Sequence, residues 1–195
     1  MKNLKGLNLG VALCGSFCTF AKAINTIEEL IALGVNVTPI MSFNAYETST
    51  RFGEADAIIS KIETITGKEI IHTIATAEPL GPKNLIDAIL IAPCTGNTLA
   101  KLNYGITDTP ALLATKSLMR NGKPIIICLA TNDGLGANLK NIGGLMNKKN
   151  VFFVPLGQDN PTAKPYSLVA DFSQIQPTLE AALDDKQIQP ILLQY

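Results

Sequence analysis

Residues 86–108 read IDAILIAPCTGNTLAKLNYGITD, and this stretch decides the fold. The continuous apolar run Ile86–Ala92 predicts a strand that is covered on both faces. The small polar residues of Pro93–Thr98 predict a loop at the carboxyl end of that strand. Helical spacing follows over Thr98–Asn121 and is interrupted near Thr109, which predicts two helices. The succession of buried strand, loop and helix is typical of a parallel α/β sheet.

The same alternation continues on both sides of this stretch. Further strands are predicted at Leu7–Leu13, Val35–Met41, Ile70–Ile74, Pro124–Ala130 and Val151–Pro155. Further helices are predicted at Phe17–Ile31, Ala55–Ile65 and Leu139–Asn147, with a polar loop over Ser42–Gly53 and a final helix and short extended end from Asp171. Together these elements predict one α/β domain over residues 1–195, built as a three-layer, doubly wound parallel sheet.

Composition and charge narrow the class of function. The 195 residues are 47% hydrophobic, and 16 basic residues balance 16 acidic ones. Without a basic patch, nucleic acid and anionic membrane surfaces are not expected as partners. The expected partner is a small molecule or another protein. The four cysteines lack the paired spacing of zinc sites, which predicts reduced thiols and no metal.

The amino-terminal stretch MKNLKGLNLGVALCGSF places basic residues before apolar ones, as a signal peptide does. Gly10 and Gly15 interrupt the apolar part, and a helix pattern follows in place of a cleavage site. We therefore expect a cytoplasmic protein.

In a doubly wound sheet, ligands bind outside the carboxyl ends of the strands. The loops at those ends are Cys14–Phe17, Ser42–Thr50, Pro93–Thr98 and Thr131–Asn138, and all are rich in Gly, Ser, Thr and Asn. Gly15 and Ser16 suit a phosphate at a helix start, with Ser42 and Asn44 as further donors. From these residues alone, the alternative that Ser16 simply caps the helix has equal support. The spacing of Gly10 and Gly15 is not that of a dinucleotide fingerprint, which favours a mononucleotide.

The loop Pro93–Thr98 also allows two interpretations. Its small residues let the backbone approach a flat ligand, and the Asn97 amide both donates and accepts hydrogen bonds. Alternatively, the loop is an ordinary turn in which Thr98 caps the following helix.

At this point the stretch APCTGNTLAKLNYGITD resembles the signature of the FMN-binding flavoprotein family of cysteine-derivative decarboxylases. That signature is Pro-Ala-Ser/Thr-Ala-Asn-Thr, a helix with Ala-Lys, and Gly-Ile-Ala-Asp. The segments LCGSFCTFAKAI and VTPIMSFNA are similar to the family's first turn and to its second strand and phosphate loop. The resemblance implies a Rossmann-like, flavodoxin-like fold, FMN as cofactor, and a homo-oligomer of three or more chains with the flavin near subunit contacts.

The resemblance also implies site residues. The expected FMN contacts are Gly15, Ser16, Phe17, Ser42, Asn44, Pro93, Cys94, Thr95, Asn97 and Thr98. Asn97 is expected to position substrate and flavin, and Arg51 and Asn132 are further candidates for substrate contact. Lys101 is a weaker candidate, since a lysine on a helix surface is commonly solvated. Cys94 is interpreted as a small packing residue in preference to a reactive thiol.

Two departures from the family pattern make decarboxylation doubtful. Pro79 stands where the decarboxylases carry a histidine, and the only histidine, His72, is interpreted as structural. After the fifth predicted strand, LATNDGLGANLKNIGGL replaces the family's Pro-Ala-Met-Asn segment. The segment Asn132–Gly136 is a candidate ligand loop, and Gln158–Pro161 either covers the site or is a surface turn.

Together with VFFVPLGQDNP and KPYSLVADF, this replacement resembles one branch of the family. Members of that branch are the flavoprotein-like component, or B component, of a two-component dehydrogenase that makes pyridine-2,6-dicarboxylate during sporulation. The resemblance implies oxidation of a dihydro- or tetrahydrodipicolinate derived from 4-hydroxytetrahydrodipicolinate, with NADP(H) bound by the other component, the A subunit. Two alternatives stay open: a stand-alone flavin-dependent decarboxylase or flavin prenyltransferase, and a non-catalytic scaffold for the A subunit.

Overall fold

A mostly parallel sheet with helices on both faces forms the core of the computed structural model, which describes residues 4–193. Its strands are β1 (Asn8–Leu13), β2 (Asn36–Met41), β3 (Ala88–Cys94), β4 (Ile125–Thr131), β5 (Val151–Phe153), β6 (Leu156–Gly157) and β7 (Leu168–Ala170). Its helices are α1 (Phe20–Ala32), α2 (Phe43–Glu47), α3 (Ala55–Thr66), α4 (Ile74–Ala77), α5 (Gly96–Asn103), α6 (Pro110–Arg120), α7 (Leu139–Met146) and α8 (Ile175–Ala182). Short 3₁₀ turns occupy Phe17–Thr19, Glu78–Leu80 and Phe172–Gln174.

The strand order confirms the predicted doubly wound sheet. Strands β2, β1, β3 and β4 are parallel neighbours in that order, and β5 continues the parallel sheet beside the first half of β4. The second half of β4 pairs antiparallel with β7, and β6 lies beyond β7. Chain connections leave β1 and β3 toward opposite edges of the sheet, so the order reverses between these two strands. Such a switch point is the usual ligand crevice of an open α/β sheet.

Helices cover both faces of the sheet. Helices α1 and α8 pack on one face, α6 and α7 cover the other, and α5 packs against both α6 and α7. Every residue of β3 is buried, as its unbroken apolar sequence predicts for a central strand. Within residues 4–193, no helix is long and apolar enough to cross a membrane.

Local signals set several helix ends. Helix α3 ends at Gly67, whose φ of 65° is a left-handed conformation that glycine adopts at little cost. Thr109 caps the start of helix α6: its side chain accepts a hydrogen bond from the Leu112 backbone at 3.2 Å, and Pro110 is the first residue of the helix. This end confirms the predicted break near Thr109.

The prediction of a strand at Ile70–Ile74 is wrong. Ile71 forms only an isolated bridge with Ile40 at the sheet edge, and α4 begins at Ile74. The reason is local: the Thr73 side chain caps α4 in a reciprocal pair with Thr76, which ends the extended conformation.

Three further elements differ from the prediction. The segment predicted as the loop Ser42–Gly53 contains α2, since the Ser42 side chain accepts from the Ala45 backbone at 3.4 Å. The short strands β6 and β7 were not predicted, because segments of two and three residues are too short to show a periodicity. The final helix after Asp171 is confirmed as α8.

Candidate functional site

A cavity of about 350 Å³ lies at the switch point, within the range of pockets that hold cofactor-sized ligands. We call it the switch-point cavity. Its walls come from the loops after β1, β2 and β3 and from the start of α6. The lining residues are Gly15, Ser42, Phe43, Asn44, Thr95, Asn97, Thr98, Lys101, Asp108, Thr109 and Leu112.

Backbone hydrogen bonds hold the first two loops in place. The Cys14 N–H donates to the Pro93 carbonyl at 3.1 Å, which joins the loop after β1 to the end of β3. The Ser42 N–H donates to the Leu13 carbonyl at 3.0 Å and joins the β2 loop to the same place. The three strand ends therefore present one continuous wall.

The start of α5 is fixed by Thr95. Its hydroxyl accepts from the Thr98 N–H at 3.2 Å and donates to the Thr98 hydroxyl at 3.1 Å. The helix cap is thus Thr95, and the alternative in which Thr98 caps the helix is wrong. The cap places Asn97 in the first turn of α5, with an exposed side chain.

Two amide side chains in the cavity are free to bind a ligand. Within the part of the chain that the structure describes, the amides of Asn44 and Asn97 make no hydrogen bond to another residue. Each amide offers two donors and an acceptor, which is the pattern that polar edges of a heteroaromatic ring require. Amide groups from two different loops can therefore hydrogen-bond to a flat ligand in the cavity.

One ion pair lies in the cavity wall. Lys101 Nζ is 2.6 Å from Asp108 Oδ2, and the lysine side chain is 27% exposed. Lys101 lies one helical turn beyond Asn97, so both side chains are on the same side of α5. A ligand carboxylate that reaches Lys101 competes with Asp108 for its hydrogen bonds.

The thiols near the cavity are not nucleophiles at neutral pH. Burial raises the pKa of Cys14 to about 11, against weaker lowering by hydrogen bonds from Thr98 and Thr95. Burial also raises the pKa of Cys94 well above its usual value. The Cys94 side chain is fully buried and packs in the hydrophobic core.

Not every predicted site residue lines the cavity. Gly15, Ser42, Asn44, Thr95, Asn97 and Thr98 do, whereas Ser16, Phe17, Pro93 and Cys94 are not among the lining residues. Ser16 occupies the cap position without a capping hydrogen bond, so the interpretation of Ser16 as a simple cap is wrong. Phe17 packs on Phe20, with ring centroids 5.2 Å apart.

The two other predicted substrate contacts lie outside the cavity in the single chain. The Arg51 guanidinium lies 4.9 Å over the Phe52 ring, and Asn132 is exposed on the loop between β4 and α7. Sequence reasoning missed Phe43, Asp108, Thr109 and Leu112 as wall residues. Asp108 is part of the family signature, so its position in the wall could have been predicted from the sequence.

The single histidine is tied into the structure, as its sequence context predicted. The His72 ring stacks on Tyr46 with centroids 3.8 Å apart, and Nδ1 lies 3.1 Å from the Ile70 carbonyl oxygen. His72 does not line the switch-point cavity.

The sheet order and the switch-point cavity define a doubly wound α/β protein with a ligand-sized crevice at its switch point, and comparison with known proteins identifies the family. The family model described as Flavoprotein matches residues 1–177, so the chain belongs to the flavoprotein family. Its full length is similar to one particular protein. It is 46% identical over 194 residues to the B subunit of dipicolinate synthase from Bacillus subtilis (strain 168), covering 100% of this chain and 97% of that protein.

Solved structures agree with this relationship. The crystal structure of the dipicolinate synthase B subunit from Bacillus halodurans C matches with a TM-score of 0.91 and 44% identity, over 99% of each chain. DmrB from Burkholderia xenovorans, solved in complex with FMN, matches with a TM-score of 0.68 and 18% identity, over 91% of this chain and 96% of that one. The second match shows likeness of fold alone. The family and the branch that the sequence signature predicted are confirmed.

Proposed function

We propose that this chain is the FMN-binding component of a two-component oxidoreductase that forms dipicolinate in sporulating cells. The observation that carries the proposal is the full-length identity of 46% to the dipicolinate synthase B subunit. In this proposal the substrate is 4-hydroxytetrahydrodipicolinate or the dihydrodipicolinate formed from it. The partner is the A subunit of dipicolinate synthase, which binds NADP(H), and both work in the cytoplasm.

The residues of the switch-point cavity fit FMN. The volume suits a cofactor, the Asn44 and Asn97 amides are unpaired within residues 4–193, and Gly15 leaves one wall open. FMN supplies a flat ring that accepts a hydride from a dihydropyridine. Such chemistry needs no side-chain nucleophile, in agreement with the raised pKa values of Cys14 and Cys94.

The chain's own residues bind and orient in this proposal. The Asn97 amide holds the substrate and the ring edge in one geometry, and the Thr95 cap keeps Asn97 in place. Lys101 binds one carboxylate of the dianionic substrate, and Asp108 holds Lys101 at the wall until substrate arrives. Ser42 and Asn44 bind the opposite side of the cofactor. We retain Arg51 and Asn132 as proposed substrate contacts in the assembled protein, which we expect to be a homo-oligomer of three or more chains.

The test is turnover by the reconstituted enzyme. Purified chain, FMN, the A subunit and a nicotinamide cofactor are mixed with substrate, and dipicolinate formation is followed with nicotinamide reduction. We expect Asn97→Ala to lower turnover by at least about tenfold, since one well-placed polar contact contributes roughly 1.4 kcal/mol or more. Asn25→Ala is the matched control, because Asn25 is an exposed asparagine of α1 that does not line the cavity.

The alternatives predict different results. A stand-alone decarboxylase or flavin prenyltransferase releases CO2 or prenylates flavin without the A subunit, and Pro79 in place of the family's histidine argues against the first. A non-catalytic scaffold supports turnover without FMN and is indifferent to Asn97→Ala. Either result would overturn the proposed function.

A further inference from the structure

A chain of hydrogen-bonded polar side chains joins the β4–α7 loop to the carboxyl end of α5. Asn103 Nδ2 donates to Asn141 Oδ1 at 3.1 Å, and Asn141 Nδ2 donates to Asn138 Oδ1 at 2.9 Å. Asn138 Nδ2 then lies 2.9 Å from both carboxylate oxygens of Asp133. Thr131 Oγ1 also donates to Asp133 Oδ1. We call Asp133, Asn138, Asn141 and Asn103 the Asn relay.

The carboxylate sets the direction of the whole relay. An ionised carboxylate only accepts hydrogen bonds, so the Asn138 amide must point its nitrogen at Asp133. The Asn138 oxygen is then left to accept from Asn141, and the Asn141 oxygen to accept from Asn103. Asn138 and Asn141 are only 6% and 3% exposed, so a reversed amide would leave buried groups unpaired at substantial cost.

Two glycines bring α5 close enough to use this relay. A Cβ on Gly96, at the start of α5, would lie 2.6 Å from Thr131 Oγ1 and 2.9 Å from Asp133 Oδ1. A Cβ on Gly144, in α7, would lie 2.5 Å from Asn103 Oδ1. The relay therefore contacts α5 at both ends, through Gly96 and Asn103.

Helix α5 presents a different face to the switch-point cavity. Asn97 and Lys101 line the cavity, whereas Gly96 and Asn103 are seven positions apart and share the face that meets the relay. A shift of α5 on the relay side thus moves the cavity wall. A small displacement of a positioning group is enough to weaken binding and catalysis.

We propose that the Asn relay, anchored by Asp133, is the device that positions α5 and thereby the ligand-binding side chains of the switch-point cavity. Asp133 is a positioning residue in this assignment and does not touch the ligand. The expected effect on ligand binding rests on the proposed FMN function, whereas the expected effect on the position of α5 does not.

The test exchanges the carboxylate and the amide. Asp133→Asn sets two amide nitrogens against each other, and Asn138→Asp sets two carboxylates against each other. In the double variant Asp133→Asn/Asn138→Asp, the new amide at position 133 donates to the new carboxylate at position 138, which still accepts from Asn141. We expect each single variant to weaken FMN binding by about tenfold, and the double variant to recover most of it.

Two readouts are measured on each protein: the FMN dissociation constant, from flavin fluorescence, and amide hydrogen exchange of residues 96–103 without FMN. We expect exchange in α5 to be faster in the single variants and restored in the double variant, while exchange in α1 stays constant. Unchanged α5 exchange in the singles, or a double variant no better than either single, would overturn the relay assignment.

The remaining outcomes also decide the matter. If the wild-type chain does not bind FMN, the proposal of FMN as cofactor is wrong, and the relay assignment is tested by the exchange data alone. If both single variants fail to fold, a folded double variant supports the pairing and an unfolded one refutes it.

Discussion

Gly15 and Asn44 lie side by side in the wall of the switch-point cavity: a Cβ built on Gly15 would lie 3.7 Å from the Asn44 Cβ and 3.5 Å from the Phe17 ring. These separations are ordinary van der Waals contacts, so the protein itself tolerates a side chain at position 15. Gly15 lines the cavity, so we expect a larger side chain at this position to narrow the space for a ligand. We therefore expect Gly15 to matter for ligand binding more than for the stability of the fold.

Gly15→Ala separates ligand binding from stability. We expect the variant to be as stable as the wild type, or about 0.4–1 kcal/mol more stable, because alanine reduces the entropy of the unfolded chain. We expect FMN binding to weaken. Urea unfolding and a fluorescence titration measure the two effects. A destabilised variant with normal FMN affinity would contradict the assignment.

Gly96→Ala is the matched contrast. The added methyl group would meet Thr131 and Asp133 at less than 3 Å, and overpacking of this kind costs about 1–3 kcal/mol. The gain in helix propensity, about 1 kcal/mol at most, offsets only part of that cost. We expect a lower urea midpoint for Gly96→Ala than for Gly15→Ala. Equal midpoints would show that α5 does not pack tightly on the relay.

The ion pair of Lys101 and Asp108 predicts opposite effects on anion binding. Lys101→Met removes a cation from the cavity, and we expect about tenfold or greater weakening of pyridine-2,6-dicarboxylate binding. Asp108→Asn removes a competing carboxylate, so binding should tighten. Calorimetry at low and high salt measures both, with a smaller difference at high salt. Effects of the same sign in the two variants would exclude Lys101 as the carboxylate contact.

Thiol reactivity tests the burial around the cavity. Cys18 is exposed, whereas Cys14, Cys94 and Cys128 are buried, and burial raises the pKa of Cys14 to about 11. We expect an alkylating reagent at neutral pH to modify Cys18 alone in the folded protein. Cys18→Ser should abolish the reaction until denaturant is added. Rapid modification of Cys14 would contradict the burial of this thiol at the end of β1.

The Asp133 carboxylate predicts a pH dependence of stability. The hydrogen bond from Thr131 is the largest cause and lowers its pKa below the usual value of 3.8. Burial opposes this, and a weaker hydrogen bond from Asn138 adds to the lowering. A lowered folded-state pKa stabilises the protein above the unfolded pKa, and the stabilisation is lost as pH falls through the folded pKa. The stability difference between wild type and Asp133→Asn should be constant above about pH 5 and shrink below about pH 4. Urea unfolding across this range measures it, and a difference that grows on acidification would contradict the assignment.

The central strands and most helices could be predicted because their signals are local and long. Strand β3 is apolar without interruption, and Thr109 with Pro110 marks the start of α6. The Ile70–Ile74 strand was mispredicted because a cap at Thr73 outweighs the apolar run. Strands β6 and β7 depend on pairing with residues distant in sequence, which no short window shows.

The candidate site could be predicted by loop but not by side chain. The rule that ligands bind at strand ends identified Gly15, Ser42, Asn44 and Asn97 correctly as neighbours. It could not show that Asp108 folds back onto Lys101, whereas the interpretation of Cys94 as a small packing residue agrees with its burial. The Asn relay could not be predicted either, since it joins the stretch 133–141 to Asn103 of α5, and only the fold brings these two segments together.

The most direct test of the central claim is a visible absorption spectrum of the purified chain, taken after incubation with FMN and removal of the excess by gel filtration. We predict retained flavin absorption in the wild type and loss of most of it in Gly15→Val, whose larger side chain occupies the cavity. Absence of flavin from the wild-type chain, both alone and in complex with the A subunit, would contradict the assignment of the switch-point cavity as an FMN site.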